Sequence, residues 1–155
     1  MIAVRLPKEL EMQLEKVASE THRSKSYYIR KALEQFLEDR EDYLLAVARL
    51  EENNPRIPYE RVRKEFAWTI DFDKKAKKEF AVLDKSAQKQ IDKFLLKLMK
   101  STNPRQLGEA LKGNMQSFWR YRVGDYRLIC SIHDKVLIVV VLRVKHRKEV
   151  YKKNI

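Results

Sequence analysis

Arg120-Tyr121-Arg122 and, just past the dipeptide Gly124-Asp125, Arg127 are the densest group of side chains in this sequence that could do chemistry. Successive side chains of a strand point to opposite faces, so Arg120 and Arg122 share one. Glycine at the first position of a two-residue turn suits a type II′ hairpin, and the returning strand brings Arg127 to join the pair. Clustered guanidiniums hold phosphate oxygens through paired N–H donors. They stay protonated in proteins, so none of the three can act as a general base. Trp119 and Tyr121 fall on the opposite face, where core packing is the expected role. Lysines at 74, 75, 77, 78, 85, 89, 93, 97 and 100 add a broad cationic surface without forming a catalytic set.

Charge supports an anionic partner. The 155 residues carry a net charge of +12, and all of that excess lies in residues 67–155, with 21 Lys and Arg against nine Asp and Glu. Residues 1–33 hold seven bases and four acids, and residues 34–66 hold six bases and nine acids. The order is mildly basic, acidic, strongly basic. A strong basic excess suits a polyanion such as nucleic acid, and a tethered acidic segment can mimic that polyanion. A hydrophobic fraction of 44% is enough for real cores, and three glycines with four prolines exclude collagen-like and low-complexity classes. The longest apolar run, Val136 to Leu142, is a strand's length rather than a membrane span. Cys130 has no partner for a disulfide and three scattered histidines lack zinc spacing. The start at Met1 has no long apolar stretch of a signal peptide. A soluble, cytoplasmic protein is expected.

The arginines need a scaffold. Ala67 to Phe72 alternates like a strand, and Asp73 is placed to cap a helix carrying Ala76, Phe80 and Leu83. A longer helix follows Asp84, with Ala87, Ile91, Phe94, Leu95 and Leu98. Strands are expected over 118–123 and 126–132. A turn near 133–135 then leads to a third strand, whose unbroken apolarity indicates cover on both faces. One strand, two helices and an antiparallel meander give an α+β order.

Upstream, Ile2, Val4 and Leu6 alternate with Ala3 and Arg5, the period of a half-buried strand. Pro7 suits a helix start, and Leu10, Leu14 and Val17 lie on one helical face. Ser24 is a good N-cap for a second helix whose apolar stripe runs from Ile29, Ala32, Leu33, Phe36 and Leu37 through Leu44, Val47 and Leu50 to about residue 52. Asn53-Asn54-Pro55 ends it. One strand and two helices bury too little to stand alone, so two chains are expected to pair their strands over a four-helix core.

Residues 1–50, through Met1-Ile2-Ala3-Val4-Arg5-Leu6-Pro7 and Arg23-Ser24-Lys25-Ser26-Tyr27-Tyr28-Ile29-Arg30, resemble ribbon-helix-helix antitoxins of the RelB/CopG type. The resemblance implies that Ala3 and Arg5 face the major groove of operator DNA, while Ser24 and Lys25 meet phosphate. Residues 53–66 then read as a toxin-wrapping segment or linker, with Tyr59, Val62 and Phe66 as anchors. Residues 67–155 resemble the RelE toxin superfamily. The motifs are Leu111-Lys112-Gly113, the run Trp119 to Leu128, and the ending His146-Arg147-Lys148-Glu149-Val150-Tyr151.

That second resemblance implies a ribosome-dependent mRNA endoribonuclease that uses the RNA's own 2′-OH, with no cofactor and no metal. Such cleavage needs a group to take the hydroxyl proton, cations for the phosphorane and a proton for the leaving oxygen. Carried over, the catalytic set is Arg120, Arg122, Arg127, Arg147, Tyr151 and His146, with Lys112, Arg120 and Arg122 binding RNA. The base falls to Tyr151, His146 or Lys112, each with a lowered pKa, or else catalysis is mostly positioning of strained RNA. The whole then reads as a toxin–antitoxin fusion with three parts: a DNA-binding domain over 1–52, the segment 53–66 and a latent toxin over 67–155. It is at least a homodimer through its ribbon, with operator DNA, ribosome and mRNA as partners and no membrane. Two alternatives stand beside it: an autorepressor with a permanently inactive toxin domain, and an artificial concatenation of two chains.

Overall fold

A computed structural model describes residues 1–59, 66–111 and 117–146. The chain divides into two compact units, Met1–Glu38 and Asp39–Ile155. The division falls inside a helix rather than at residue 52.

The first unit holds α1 (Lys8–Thr21) and the N-terminal part of α2 (Lys25–Glu51). Glu9 and Glu11 sit in the first turn of α1, where the exposed N–H groups favour negative charge. The helix ends at His22 in the left-handed conformation, and the N–H of Arg23 donates to the Ala18 carbonyl at 3.0 Å. Ser24 caps α2 as expected, its Oγ accepting from the Tyr27 N–H at 3.1 Å. Residues 1–7 form no strand. A strand exists only through its ladder hydrogen bonds, and a single copy of this chain offers the segment no partner. Leu10, Val17, Ile29, Leu33, Phe36 and Leu37 remain exposed in consequence.

The second unit is a six-stranded sheet with helices packed on it. Its strands are β1 (Arg56–Pro58), β2 (Thr69–Asp73), β3 (Glu109–Ala110), β4 (Trp119–Val123), β5 (Tyr126–His133) and β6 (Ile138–His146). Their order is β1-β2-β6-β5-β4-β3. The meander β4-β5-β6 is antiparallel as the sequence indicates, the short β3 adds an antiparallel edge that the sequence did not indicate, and β2 joins β6 in parallel, Phe72 opposite Val141. Helices α3 (Lys74–Ala81) and α4 (Lys85–Lys100) carry the chain from β2 to β3 at the far edge, and the meander then returns to β6 beside β2. Asp73 and Asp84 cap them, accepting from the N–H groups of Lys75 at 2.9 Å and Ala87 at 2.7 Å. The two helices bury Ala76, Phe80, Ile91, Leu95, Leu98 and Met99 against Phe72, Tyr121, Leu128, Val139 and Val141.

The β4–β5 turn keeps Gly124 at φ +59° while Asp125 has ordinary backbone. A type I′ turn needs positive φ at both positions, so this is the II′ form. The next turn spans residues 134–137, slightly later than expected, with Leu137 left-handed at φ 55°. Within β5–β6 the register shifts: Ile129 faces Arg143 but Cys130 faces Val141, leaving Leu142 as the extra residue of a bulge.

Two expectations change here. Arg56–Pro58, read from sequence as part of a linker, is an edge strand antiparallel to β2, a location where proline costs no ladder bond. The C-terminal half of α2 belongs to the second unit, packing Ala46, Tyr43 and Val47 on Ile129, Val140, Leu142, Leu111 and Phe118. β6 is thus covered on both faces. The buried stripe of this half is Asp39, Asp42, Ala46 and Arg49, while Leu44 and Leu50 of the expected apolar stripe are exposed. Among the described residues, no helix is long and apolar enough to cross a membrane.

Candidate functional site: a basic sheet face closed by carboxylates

The hairpin register puts Arg122 opposite Arg127 and Arg120 opposite Ile129, which in turn faces Arg143 of β6. Arg127 also faces Lys145. Four guanidiniums and an ammonium therefore share the face covered by α2. Arg143 is there because of the bulge. Strict alternation from Val140 and Leu142 would send it to the α3–α4 side with Val141, and the extra residue returns it to the arginine face.

The carboxylates against these arginines come from the acidic stretch 34–66, though its individual partners were not legible in the sequence. Asp39 pairs with Arg120. Asp42 bridges two strands: its Oδ2 accepts from Arg127 Nε at 2.9 Å, and its Oδ1 accepts from Arg143 Nη1 at 3.0 Å and Arg127 Nη2 at 3.3 Å. Glu41 accepts from Arg143 Nη2 at 2.8 Å, and Glu109 of β3 accepts from Arg120 Nη2 at 2.7 Å. Four arginines thus meet four carboxylates, Arg122 lying 3.7 Å from Glu109. The side chains of Asp39, Asp42 and Arg127 have no exposed surface, against 30% exposure for Arg122.

Charge here survives burial because it is compensated. Desolvation works against the Arg120 guanidinium, yet hydrogen bonding and attraction from Glu109 and Asp39 hold its pKa above the usual arginine value. The hydrogen bond from Arg143 holds the Glu41 carboxyl below the ordinary glutamate range. Isolated buried ions would cost several kcal/mol each, so neither set is stable at this depth without the other.

Beside the network, Gln106, Leu107, Gly108, Glu109, Arg120 and Arg122 line an open depression of about 240 Å³. Gly108 is required there, since a Cβ would lie 2.4 Å from the Arg120 carbonyl oxygen. Trp119 Nε1 donates to the Arg105 carbonyl at 3.1 Å and Tyr121 Oη donates to that of Pro104 at 2.8 Å, fixing the strand that carries Arg120 and Arg122. Both rings lie on the core side.

The structure thus brings together Arg120, Arg122 and Arg127, and adds Arg143. His146 stands apart from them: it pairs in register with Tyr126, on the other face, and stacks edge-on at 4.9 Å. Lys112, Arg147, Tyr151 and Val62 lie outside the described residues. Tyr59 belongs to the main core rather than to a wrapping arm, 5% exposed, its hydroxyl donating to Asp92 at 2.6 Å, and Phe66 packs partly buried against the same core. In the first unit Ala3, Arg5 and Lys25 line an open cleft of about 680 Å³. Lys25 lies 3.9 Å from Glu11, and Ser24 is engaged as a cap. Among the described residues, no group of three His, Cys, Asp or Glu is arranged to hold a metal ion.

Residues 70–151 match the family described as ParE toxin of type II toxin-antitoxin system, parDE. The mRNA interferase toxin RelE of Escherichia coli (strain K12) is 32% identical over 88 residues, covering 55% of this chain and 90% of that protein. Toxin RelG of Mycobacterium tuberculosis is 36% identical over 53 residues, 34% of this chain and 61% of that protein. Among solved structures, the toxin–antitoxin complex RelBE2 from Mycobacterium tuberculosis aligns with TM-score 0.48 and 28% identity, over 52% of this chain and 99% of that one.

Proposed function

The chain belongs, through residues 70–151, to the ParE toxin family of type II toxin–antitoxin systems, and from that premise we propose a cytoplasmic mRNA-cleaving toxin held latent by the C-terminal half of its own α2. The observation that carries this reading is the seating of Asp39, Glu41 and Asp42 on Arg120, Arg127 and Arg143. The resemblance to RelE supplies the chemistry: attack of the RNA 2′-OH on its own phosphate, with ribosome-bound mRNA as substrate. Arg120, Arg122 and Arg127 hold the scissile phosphate and stabilise its developing charge. Arginine cannot take the hydroxyl proton, and His146 faces away, so the base in this reading is Tyr151 or Lys112, with Arg147 as a further cation that the resemblance supplies.

The mask proposed here keeps the acidic part of the one expected from residues 34–66 and does without its apolar anchors at Tyr59, Val62 and Phe66. Tyr59 and Phe66 are committed to the core, and the acidic half of α2 closes the basic face instead. Residues 1–38 supply the antitoxin's other role in this reading, pairing as a ribbon in a homodimer and reading operator DNA through Ala3 and Arg5, with Ser24 and Lys25 at phosphate. Gel shifts on the DNA upstream of the reading frame check that part: Arg5→Ala should lose sequence preference, and unchanged specificity would remove the assignment.

Expression of the full chain against its Asp39→Asn/Asp42→Asn variant tests the main reading. The wild type should be tolerated, and the variant should arrest translation and cut mRNA on ribosomes. The depth of the network favours a second reading, a permanently sealed domain retained for DNA binding. A double variant that folds, exposes the arginines and leaves mRNA intact would establish that alternative.

A further inference from the structure

The reading above gives Arg143 no role beyond receiving the mask. Its position argues for one. Alternation along β6 should have placed it on the α3–α4 side, and the strand gives up a regular ladder step at Leu142 to turn it toward Arg127. Bulges that re-aim a side chain concentrate beside functional sites. Resting on the reading of the basic face as the RNA site, we infer that Arg127 and Arg143 form a second phosphate subsite beside the one at Arg120, so that the toxin grips two successive phosphates of one RNA strand.

The carboxylates show how. The Asp42 carboxylate sits between guanidiniums of adjacent strands, at 2.9 and 3.3 Å from Arg127 and 3.0 Å from Arg143, the converging donor geometry that phosphate oxygens accept. Asp39 holds the corresponding place at Arg120, with Glu109 on its flank. Residues three apart on a helix have Cβ atoms about 5–6 Å apart, a step comparable to that between neighbouring phosphates of a strand. The helix therefore presents two anions at the repeat of a nucleic-acid backbone. Asp39 and Asp42 occupy the two subsites in the latent chain, and RNA competes for them. Glu41, which meets Arg143 from the rim with 47% of its side chain exposed, closes the subsite and has no counterpart among the phosphates.

Binding of a 2′-O-methylated single-stranded hexanucleotide, which keeps its phosphates but cannot be cut through the 2′-OH, separates the possibilities. Fluorescence anisotropy is read over a salt series on the full chain carrying Asp39→Asn/Asp42→Asn. Adding Arg143→Ala should weaken binding by about tenfold and reduce the slope of log affinity against log salt by about 0.7, the contribution of one phosphate. Arg143→Lys should keep the slope and lose affinity, because an ammonium keeps the charge without the fork. Unchanged affinity and slope for Arg143→Ala, while Arg127→Ala loses both, overturns the second subsite and leaves the RNA site standing. Should Arg143→Ala not fold, unchanged affinity of Arg143→Lys overturns it equally. No binding by the Asp39→Asn/Asp42→Asn chain itself removes the RNA reading and this inference with it.

Discussion

Asp42→Ala isolates the mask in a single atom group. The substitution removes the carboxylate between Arg127 and Arg143, which are 0% and 3% exposed, and leaves Glu41 to satisfy Arg143 from the rim. Deleting one partner of a buried ion pair costs about 3–5 kcal/mol, because the other charge stays desolvated. A domain has about 5–15 kcal/mol in hand, so the fold should survive while the helix–sheet contact weakens. The same energy moves the docking equilibrium of α2 by roughly a hundredfold to a few thousandfold. If the helix stays docked, the cost instead appears as a fall in melting temperature of about 6–20 °C. Hydrogen exchange over residues 39–51, circular dichroism and growth after induction read the three quantities. Faster exchange with growth arrest is the expected outcome, and Glu51→Ala, an exposed acid in the last turn of the same helix, should do neither. Wild-type exchange, melting and growth in Asp42→Ala would refute the claim that these carboxylates hold the helix in place.

Other consequences can be measured separately. In the Asp39→Asn/Asp42→Asn background, Arg127→Ala should slow mRNA cleavage by at least about tenfold, or roughly 1.4 kcal/mol of barrier, read by primer extension on ribosome-bound message. Tyr59→Asp should lower stability in thermal denaturation without releasing toxicity, because it places a carboxylate in the core beside Phe72 and Asp92. Glu41 has its pKa lowered by Arg143, so its contribution is present above the ordinary glutamate range and lost as pH falls through the depressed value. Exchange over residues 39–51 should therefore accelerate on the acid side of that range and stay flat toward neutral pH.

Some of this was open to reading in the sequence and some was not, for physical reasons. Alternation and the Gly124-Asp125 turn determine that Arg120, Arg122 and Arg127 converge, since a hairpin register leaves them no other face. The caps at Ser24 and Asp73 are local chemistry and stand where they were expected. Arg143 was hidden because a bulge is set by packing across strands, and period-two reasoning points it the wrong way. The end of α2 was hidden for a subtler reason. Leu44, Val47 and Leu50 offer an apolar stripe, yet the helix turns Asp39, Asp42, Ala46 and Arg49 inward. Buried acids are rare enough that helical periodicity discounts them, and only the basic sheet face makes them the buried side. Pro55 and Pro58 made residues 55–59 look like linker, whereas an edge strand tolerates proline.

Arg49 gives the closed state a direction. The pairing of β2 with β6 stops at Phe72 and Val141, and just beyond it Arg49 Nη1 donates to the Leu142 carbonyl at 2.6 Å. Glu79 accepts from Arg49 at 2.7 Å and from the Val144 N–H at 3.1 Å, so one ion pair finishes the ladder where the neighbouring strand ends. Undocking α2 at this point would strip the Leu142 carbonyl of its donor and Glu79 of its cation, whereas undocking it at Asp39 disturbs only charges that an incoming polyanion can replace. The arm from Asp39 to Arg49 is about 15 Å long at 1.5 Å per residue. Opening should therefore proceed as peeling about a pivot, with the Asp39 end leaving first and Arg49 retained. On the proposed reading, a domain opened in that way recloses on its own helix as soon as the RNA departs, with no new protein synthesis needed to silence it.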